Sequence, residues 1–135
     1  MAQNRRSSKV TNGIRVEVAS RYLERESSPE DDHYFFAYDV RISNEGVRPA
    51  KLVSRYWLII DAEGDRQEVE GPGVVGENPV LQPGQSFEYT SFCSLGTHWG
   101  TMEGSYRMEG EGADAFEAEI GRFLLVGQVP EAAMS

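Results

Sequence analysis

The residues Gly71-Pro-Gly73-Val-Val-Gly76 match the pattern G-x-G-x-x-G. In dinucleotide-binding proteins that spacing lets the backbone approach a pyrophosphate held at a helix N-terminus. The chemistry needs a buried strand before the glycines and a helix after them. Here the preceding Arg66-Gln-Glu-Val-Glu70 is polar, and the following Glu77-Asn-Pro79 runs on to a Pro83-Gly84 turn. Glu70 and Glu77 would also place negative charge beside a diphosphate. The expectation is a fitted surface loop whose glycines allow chain reversal and close backbone approach. A weaker form of the anion reading needs no helix: successive backbone N–H groups of the loop would form a nest.

Other residues capable of chemistry are sparse. His33, His98 and Cys93 show no CxxC or HExxH spacing. Cys93 and His98 flank Gly96 and would meet at a turn, yet two ligands do not make a structural zinc site. Cys93 in an alternating segment reads as a small buried hydrophobe, and His98 beside Trp99 as an exposed loop residue. A Cys–His nucleophile pair would need an orienting third group, which the sequence does not supply. Glu103, Glu117 and Glu119 alternate with apolar or small residues, as solvated outer-face positions do. The expectation is no catalytic residue, no metal, no cofactor, and no enzyme.

The elements that position these residues read as strands. Ile14, Val16 and Val18 alternate with Arg15 and Glu17. From His33 to Asn44, Phe36, Tyr38, Val40 and Ile42 share one face, and Asn44-Glu-Gly46 turns the chain, with Gly46 tolerating positive φ. Leu52 to Asp61 is more continuously apolar at Tyr56-Trp57-Leu58-Ile59-Ile60, as expected of a central strand covered on both faces at one end. Asp61 to Asp65 is a Gly-containing hairpin loop followed by a short polar strand, Arg66 to Glu70. Gln85 to Cys93 and Gly100 to Glu109 alternate, the second with Met102, Gly104, Tyr106 and Met108 on one face. Gly110 to Asp114 is a further hairpin signal. Gly121 interrupts the alternation of Phe116, Ala118 and Ile120, which marks a bulge or bend. The charged Glu24 to Asp32 reads as a solvated loop, and no helical stripe is present. Seven or eight short strands with turn chemistry between them predict an all-β antiparallel sandwich. Without Cys…Trp…Cys spacing, the fibronectin type III-like variant of the immunoglobulin-like class is preferred.

At 135 residues the chain is one domain. Its expected organisation is a flexible lead-in over 1–9, the domain over 10–127, and a flexible tail over 128–135. Thirteen Lys and Arg against 22 Asp and Glu give a formal charge of −9, which disfavours nucleic acid and anionic membrane surfaces. A lone Cys93 forms no internal disulfide. The N-terminal Arg5 and Arg6 lack the apolar run of a secretory or twin-arginine signal, and the apolar runs fall far short of the roughly 18 residues of a membrane helix. The expected location is the cytoplasm.

Phe35, Phe92 and Trp99 lie off the main apolar registers. Exposed together with the glycine loop, they would form an apolar patch for a partner; alternatively they form a second buried layer between sheets.

Gly71-Pro-Gly-Val-Val-Gly-Glu-Asn-Pro-Val-Leu-Gln-Pro-Gly-Gln-Ser-Phe-Glu-Tyr-Thr-Ser, followed by Gly100-Thr-Met-Glu-Gly-Ser-Tyr106, resembles the signature of the ApaG family. Tyr34-Phe-Phe-Ala-Tyr, Ile42-Ser-Asn, Trp57, Asp61, Gly64 and Ile120-Gly-Arg-Phe-Leu-Leu extend the likeness over nearly all of residues 10–126. The chain departs from the family at Leu95-Gly-Thr-His98, where a Thr-Pro pair is commoner. The resemblance implies a fibronectin type III-like β-sandwich and a stand-alone bacterial protein linked by name to cobalt and magnesium resistance. It also implies kinship with domains of eukaryotic F-box proteins and of a DNA-polymerase-delta-interacting protein, settings that suggest protein–protein contact. The family's G-x-G-x-x-G falls on Gly71, Gly73 and Gly76.

The function expected from these readings is a non-enzymatic domain that binds a protein partner. The candidate binding residues are Gly71, Gly73, Gly76, Glu77, Phe92 and Trp99. The alternative is a regulator that binds pyrophosphate, a nucleotide or a divalent metal at the glycine loop. An uncovered edge strand would allow weak self-association.

Overall fold

A computed structural model of the chain describes residues 4–110, 112 and 114–127. It contains nine strands: β1 (Arg6–Thr11), β2 (Ile14–Tyr22), β3 (Tyr34–Asn44), β4 (Ala50–Asp61), β5 (Arg66–Pro72), β6 (Val80–Leu81), β7 (Ser86–Leu95), β8 (Trp99–Gly110) and β9 (Ala115–Val126). Two three-residue 3-10 turns, Glu24–Glu26 and Pro29–Asp31, lie in the charged segment before β3. All pairings are antiparallel. One sheet has the order β1-β2-β3-β7 and the other β5-β4-β8-β9, with the two-residue β6 also on β4.

The alternation seen in the sequence becomes the inner face. Val16, Phe36, Ile42, Tyr106, Met108, Phe123 and Leu125 are buried between the sheets. At the centre Trp57 of β4 meets three rings nearly edge-on: Tyr38 at 5.1 Å, Phe123 at 6.1 Å and Tyr106 at 6.2 Å. Tyr38 comes from one sheet and the other rings from its partner, so this cluster ties the layers together. Asn44 is a buried polar residue with full employment: its Nδ2 donates to the carbonyls of Arg48 and Leu81, and its Oδ1 accepts from Gly46 N–H.

Several expectations are corrected. Residues 6–9 of the expected lead-in belong to β1 (Arg6–Thr11), joined to β2 by Asn12 and Gly13, both at positive φ (48° and 80°). That is the two-residue turn whose twist suits a hairpin. The supposed tail over 128–135 lies outside the described residues, while Gly127 donates to the His98 carbonyl. Gly46 is not at positive φ; its nearest neighbours are the Asn44 Oδ1, 3.3 Å from where a Cβ would lie, and Gly13, which must itself be glycine because a Cβ there would come within 2.7 Å of the Gly46 Cα. In β4, Trp57 and Ile59 are buried while Tyr56, Leu58 and Ile60 are only half-buried, so the strand is central without being covered on both faces. The expected irregularity at Gly121 is a bulge: Met102 pairs with Phe123 but Gly104 with Ile120.

The two flanks of the sandwich differ. On one, β1 and β9 come together, with Leu124 N–H donating to the Asn4 carbonyl and Lys9 ion-paired to Glu119. On the other, β7 and β5 are both edge strands, and among the described residues no ladder joins them. This leaves an open seam.

Candidate functional site

The G-x-G-x-x-G segment is the end of β5 and the tight turn that follows. Val74 and Glu77 exchange both backbone hydrogen bonds at 2.8 Å, with Val75 (φ 43°) and Gly76 (φ 81°) between them. This is a primed two-residue turn, which needs left-handed backbone at both central positions. Gly73 has φ 61°, and a Cβ there would sit 2.4 Å from the Glu77 carbonyl oxygen. Its N–H donates to the Val53 carbonyl. The amides of Gly73, Val74 and Glu77 are therefore spent inside the fold, and no helix follows. Asn78 anchors the far side by donating to the Leu52 and Val53 carbonyls.

Gly71 has a different reason to be glycine. It is the cross-strand partner of Arg55 on β4, which also pairs with the buried Tyr106 on β8. Residues in register share a face, so Arg55 points inward. A Cβ on Gly71 would fall within 2.9 to 3.0 Å of the guanidinium atoms. Nη1 donates to the Pro72 and Gly73 carbonyls at 3.0 and 3.1 Å. A β-bulge between Leu52 and Ser54 makes this possible, because the extra residue shifts the in–out parity of β4. The sequence reading missed Arg55. The available signal was the parity conflict between buried Leu52 and buried Trp57, five positions apart in one strand.

Arg55 lines a cavity of about 340 Å³ in the open seam, together with Tyr38, Trp57, Val69, Ser91 and Cys93 among others. Burial raises the Tyr38, Tyr89 and Tyr106 phenols above their ordinary range, opposed by the positive charge of Arg55. The Tyr89 and Tyr106 hydroxyls hydrogen-bond to each other across the sandwich. Burial also pushes the Cys93 thiol up to about 11, which leaves it a neutral thiol rather than a nucleophile at neutral pH.

The remaining candidates do not converge. Phe92 is 56% exposed on the outer face of β7 and stacks on Phe35 of β3 at 5.9 Å and 3°. His33 continues the stack at 6.0 Å. Trp99, 39% exposed, belongs to β8 and thus to the outer face of the other sheet. Gly71 pairs with Arg55, whereas Gly100 beside Trp99 pairs with Asp61. The loop and Trp99 thus lie about 20 Å apart along β4 at roughly 3.3 Å per residue. The structure therefore separates Phe92, Trp99 and Gly71–Glu77 into three places. Cys93 lies inward in register with Phe36, while His98 packs on Tyr34 at 6.4 Å. Among the described residues no group of three or more His, Cys, Asp or Glu side chains is placed to hold a metal. Glu103, Glu117 and Glu119 are ion-paired to Arg122, Arg107 and Lys9. Among the described residues no helix is long and apolar enough to cross a membrane.

The fold and its seam define an all-β sandwich domain of the fibronectin type III-like class. A family model for the ApaG domain matches residues 24–110. The chain is 52% identical over 120 residues to Protein ApaG of Anaeromyxobacter sp. (strain K), covering 89% of this chain and 94% of that protein. It is 54% identical over 112 residues to Protein ApaG of Azoarcus sp. (strain BH72), covering 83% and 88%. The crystal structure of the putative ApaA protein from Bordetella pertussis superposes with a TM-score of 0.83 at 43% identity, covering 96% of this chain and all of that one. The chain belongs to the ApaG family.

Proposed function

We propose that this ApaG-family chain is a non-enzymatic binding domain that receives a protein partner along the β7 edge. The observation that carries the reading is Phe92, a large aromatic left 56% exposed, set flat on Phe35 and carried by β7, which among the described residues has no partner strand on its outer side. An unpaired edge offers backbone hydrogen bonds, and a rigid exposed aromatic supplies apolar area at little entropic cost. The raised Cys93 pKa and the ion-paired carboxylates support a role without catalysis. The net charge of −9 supports a protein partner over nucleic acid or an anionic membrane, and the cytoplasm is the location that goes with this reading.

Committed loop amides weigh against the anion or metal alternative at Gly71–Glu77. They also change how that loop must be tested. Gly73→Asp would break the turn itself, so a lost interaction would be uninformative, whereas Val75→Asp alters only the exposed tip. Partner capture from cells should be abolished by Phe92→Ser and retained by Val75→Asp. Capture unaffected by Phe92→Ser contradicts the proposal.

A further inference from the structure

We infer that the open seam between β5 and β7 takes an extended acidic segment of the partner protein, with a carboxylate of that segment on the Arg55 guanidinium. This names the partner chemistry for the function proposed above and rests on that reading.

Five arginines of the sheet faces, Arg15, Arg21, Arg41, Arg107 and Arg122, are ion-paired to neighbouring carboxylates. Arg55 faces inward instead, and among the described residues it has no ion-pair partner, in a chain with 22 Asp and Glu. Nη1 is held by two carbonyls, which fixes the plane of the guanidinium and leaves Nε and Nη2 without a hydrogen bond among the described residues. Three features make the placement fit a carboxylate. The cavity is roomy at about 340 Å³ and walled by Trp57, Ile59 and Val69 beside the polar Gln67 and Ser91, so a charge pair formed there between the sheets is screened less than one in water. A guanidinium held in one orientation presents its donors in the fork geometry that carboxylates accept. The seam is bounded by two edge strands whose outer backbone is unpaired among the described residues, the setting in which an extended peptide adds as a strand and alternate side chains enter pockets. In an extended segment every second residue faces inward, and an acidic residue at one of those positions reaches the guanidinium.

The probe is acetyl-Val-Glu-Val-Glu-Val-amide titrated into the full-length ¹⁵N-labelled protein, with the Val/Gln analogue as control. The expected result is saturable shifts of the Arg55 Nε–H and of the Val69, Ser91 and Cys93 amides. The Gln peptide should bind about tenfold more weakly, as when a charge-assisted hydrogen bond becomes a neutral one. Arg55→Gln, with its fold verified by unshifted amides of the distant β1–β2 hairpin, should bind both peptides equally. Val69→Trp fills the groove while keeping the Arg55 charge and should bind neither. Equal binding of the two peptides by the unmodified protein overturns the inference, as does the absence of seam shifts with either. If the seam stays silent while Phe92→Ser still abolishes partner capture, the inference fails and the proposed function stands; if capture is also indifferent to Phe92, both fall.

Discussion

The guanidinium of Arg55 occupies the space that a side chain on Gly71 would fill, 2.9 to 3.0 Å from the position of its missing Cβ. The first glycine of the G-x-G-x-x-G pattern thus makes room for an inward arginine. The obstructing atoms are the end of a flexible side chain, so Gly71→Ala should displace Arg55 and cost about 1 kcal/mol. In an Arg55→Ala background the same substitution should cost nothing or stabilise slightly, since alanine is the better β-residue where there is room. Urea midpoints of the four proteins in a double-mutant cycle give the coupling. Additive effects would contradict the assigned pairing.

The other glycines sort by what surrounds them. A Cβ on Gly104 would lie 1.9 Å from the Tyr56 carbonyl oxygen, which is backbone inside the central β4–β8 ladder. Gly104→Ala should cost on the order of 3 kcal/mol or more, or prevent folding. Gly76 has open space around it and φ 81°. Gly76→Asn, a residue that tolerates left-handed backbone, should cost well under about 1 kcal/mol. Thermal melts of both variants decide the point, a comparable loss in the two being the contrary result.

Cys93 supplies a pH dependence. An unfolded cysteine titrates near about 8.5, and burial raises the native thiol to about 11. Below about pH 8.5 the thiol is neutral in both states and its contribution is fully present. Between that pH and about 11 the unfolded chain releases its proton while the native chain keeps it, so stability falls as pH rises, by on the order of 2–3 kcal/mol across the window. Denaturant titrations of wild type and Cys93→Ala from pH 8 to pH 10.5 should converge as pH increases. Tyrosines of the unfolded chain also titrate there, at about 10, while burial holds Tyr38, Tyr89 and Tyr106 higher in the native state, which is why the difference between the two proteins is the quantity to read. Parallel curves would mean that Cys93 is not shielded.

Much of the fold was legible because an antiparallel sandwich writes its inner face as simple alternation, as in Ile14-Val16-Val18 and Phe36-Tyr38-Val40-Ile42. β1 escaped because it is an edge strand with mostly exposed residues, leaving no apolar period to detect; the Asn12-Gly13 dipeptide was the signal that announced it. Arg55 escaped for a different reason. A bulge changes side-chain parity without a residue type that marks it, so the chain read Leu52 to Ile60 as one register when it holds two. The glycine loop was legible as a loop, since Pro79 and Pro83-Gly84 forbid the helix a nucleotide site requires. The separation of Phe92 from Trp99 was not, because exposure on opposite sheets depends on which strands pair, and that is a long-range property.

The protein partner proposed above sits on the β7 edge at Phe92. A photo-reactive phenylalanine analogue placed singly at positions 92, 75 and 47 reports on it directly, since Phe92, Val75 and Val47 are all exposed but lie on different surfaces. Irradiation in cells should give one discrete adduct from position 92, competed away in lysate by acetyl-Val-Glu-Val-Glu-Val-amide, and none from 75 or 47. Adducts from position 75 with none from 92 would contradict binding at the β7 edge and return the glycine turn to the centre of the function.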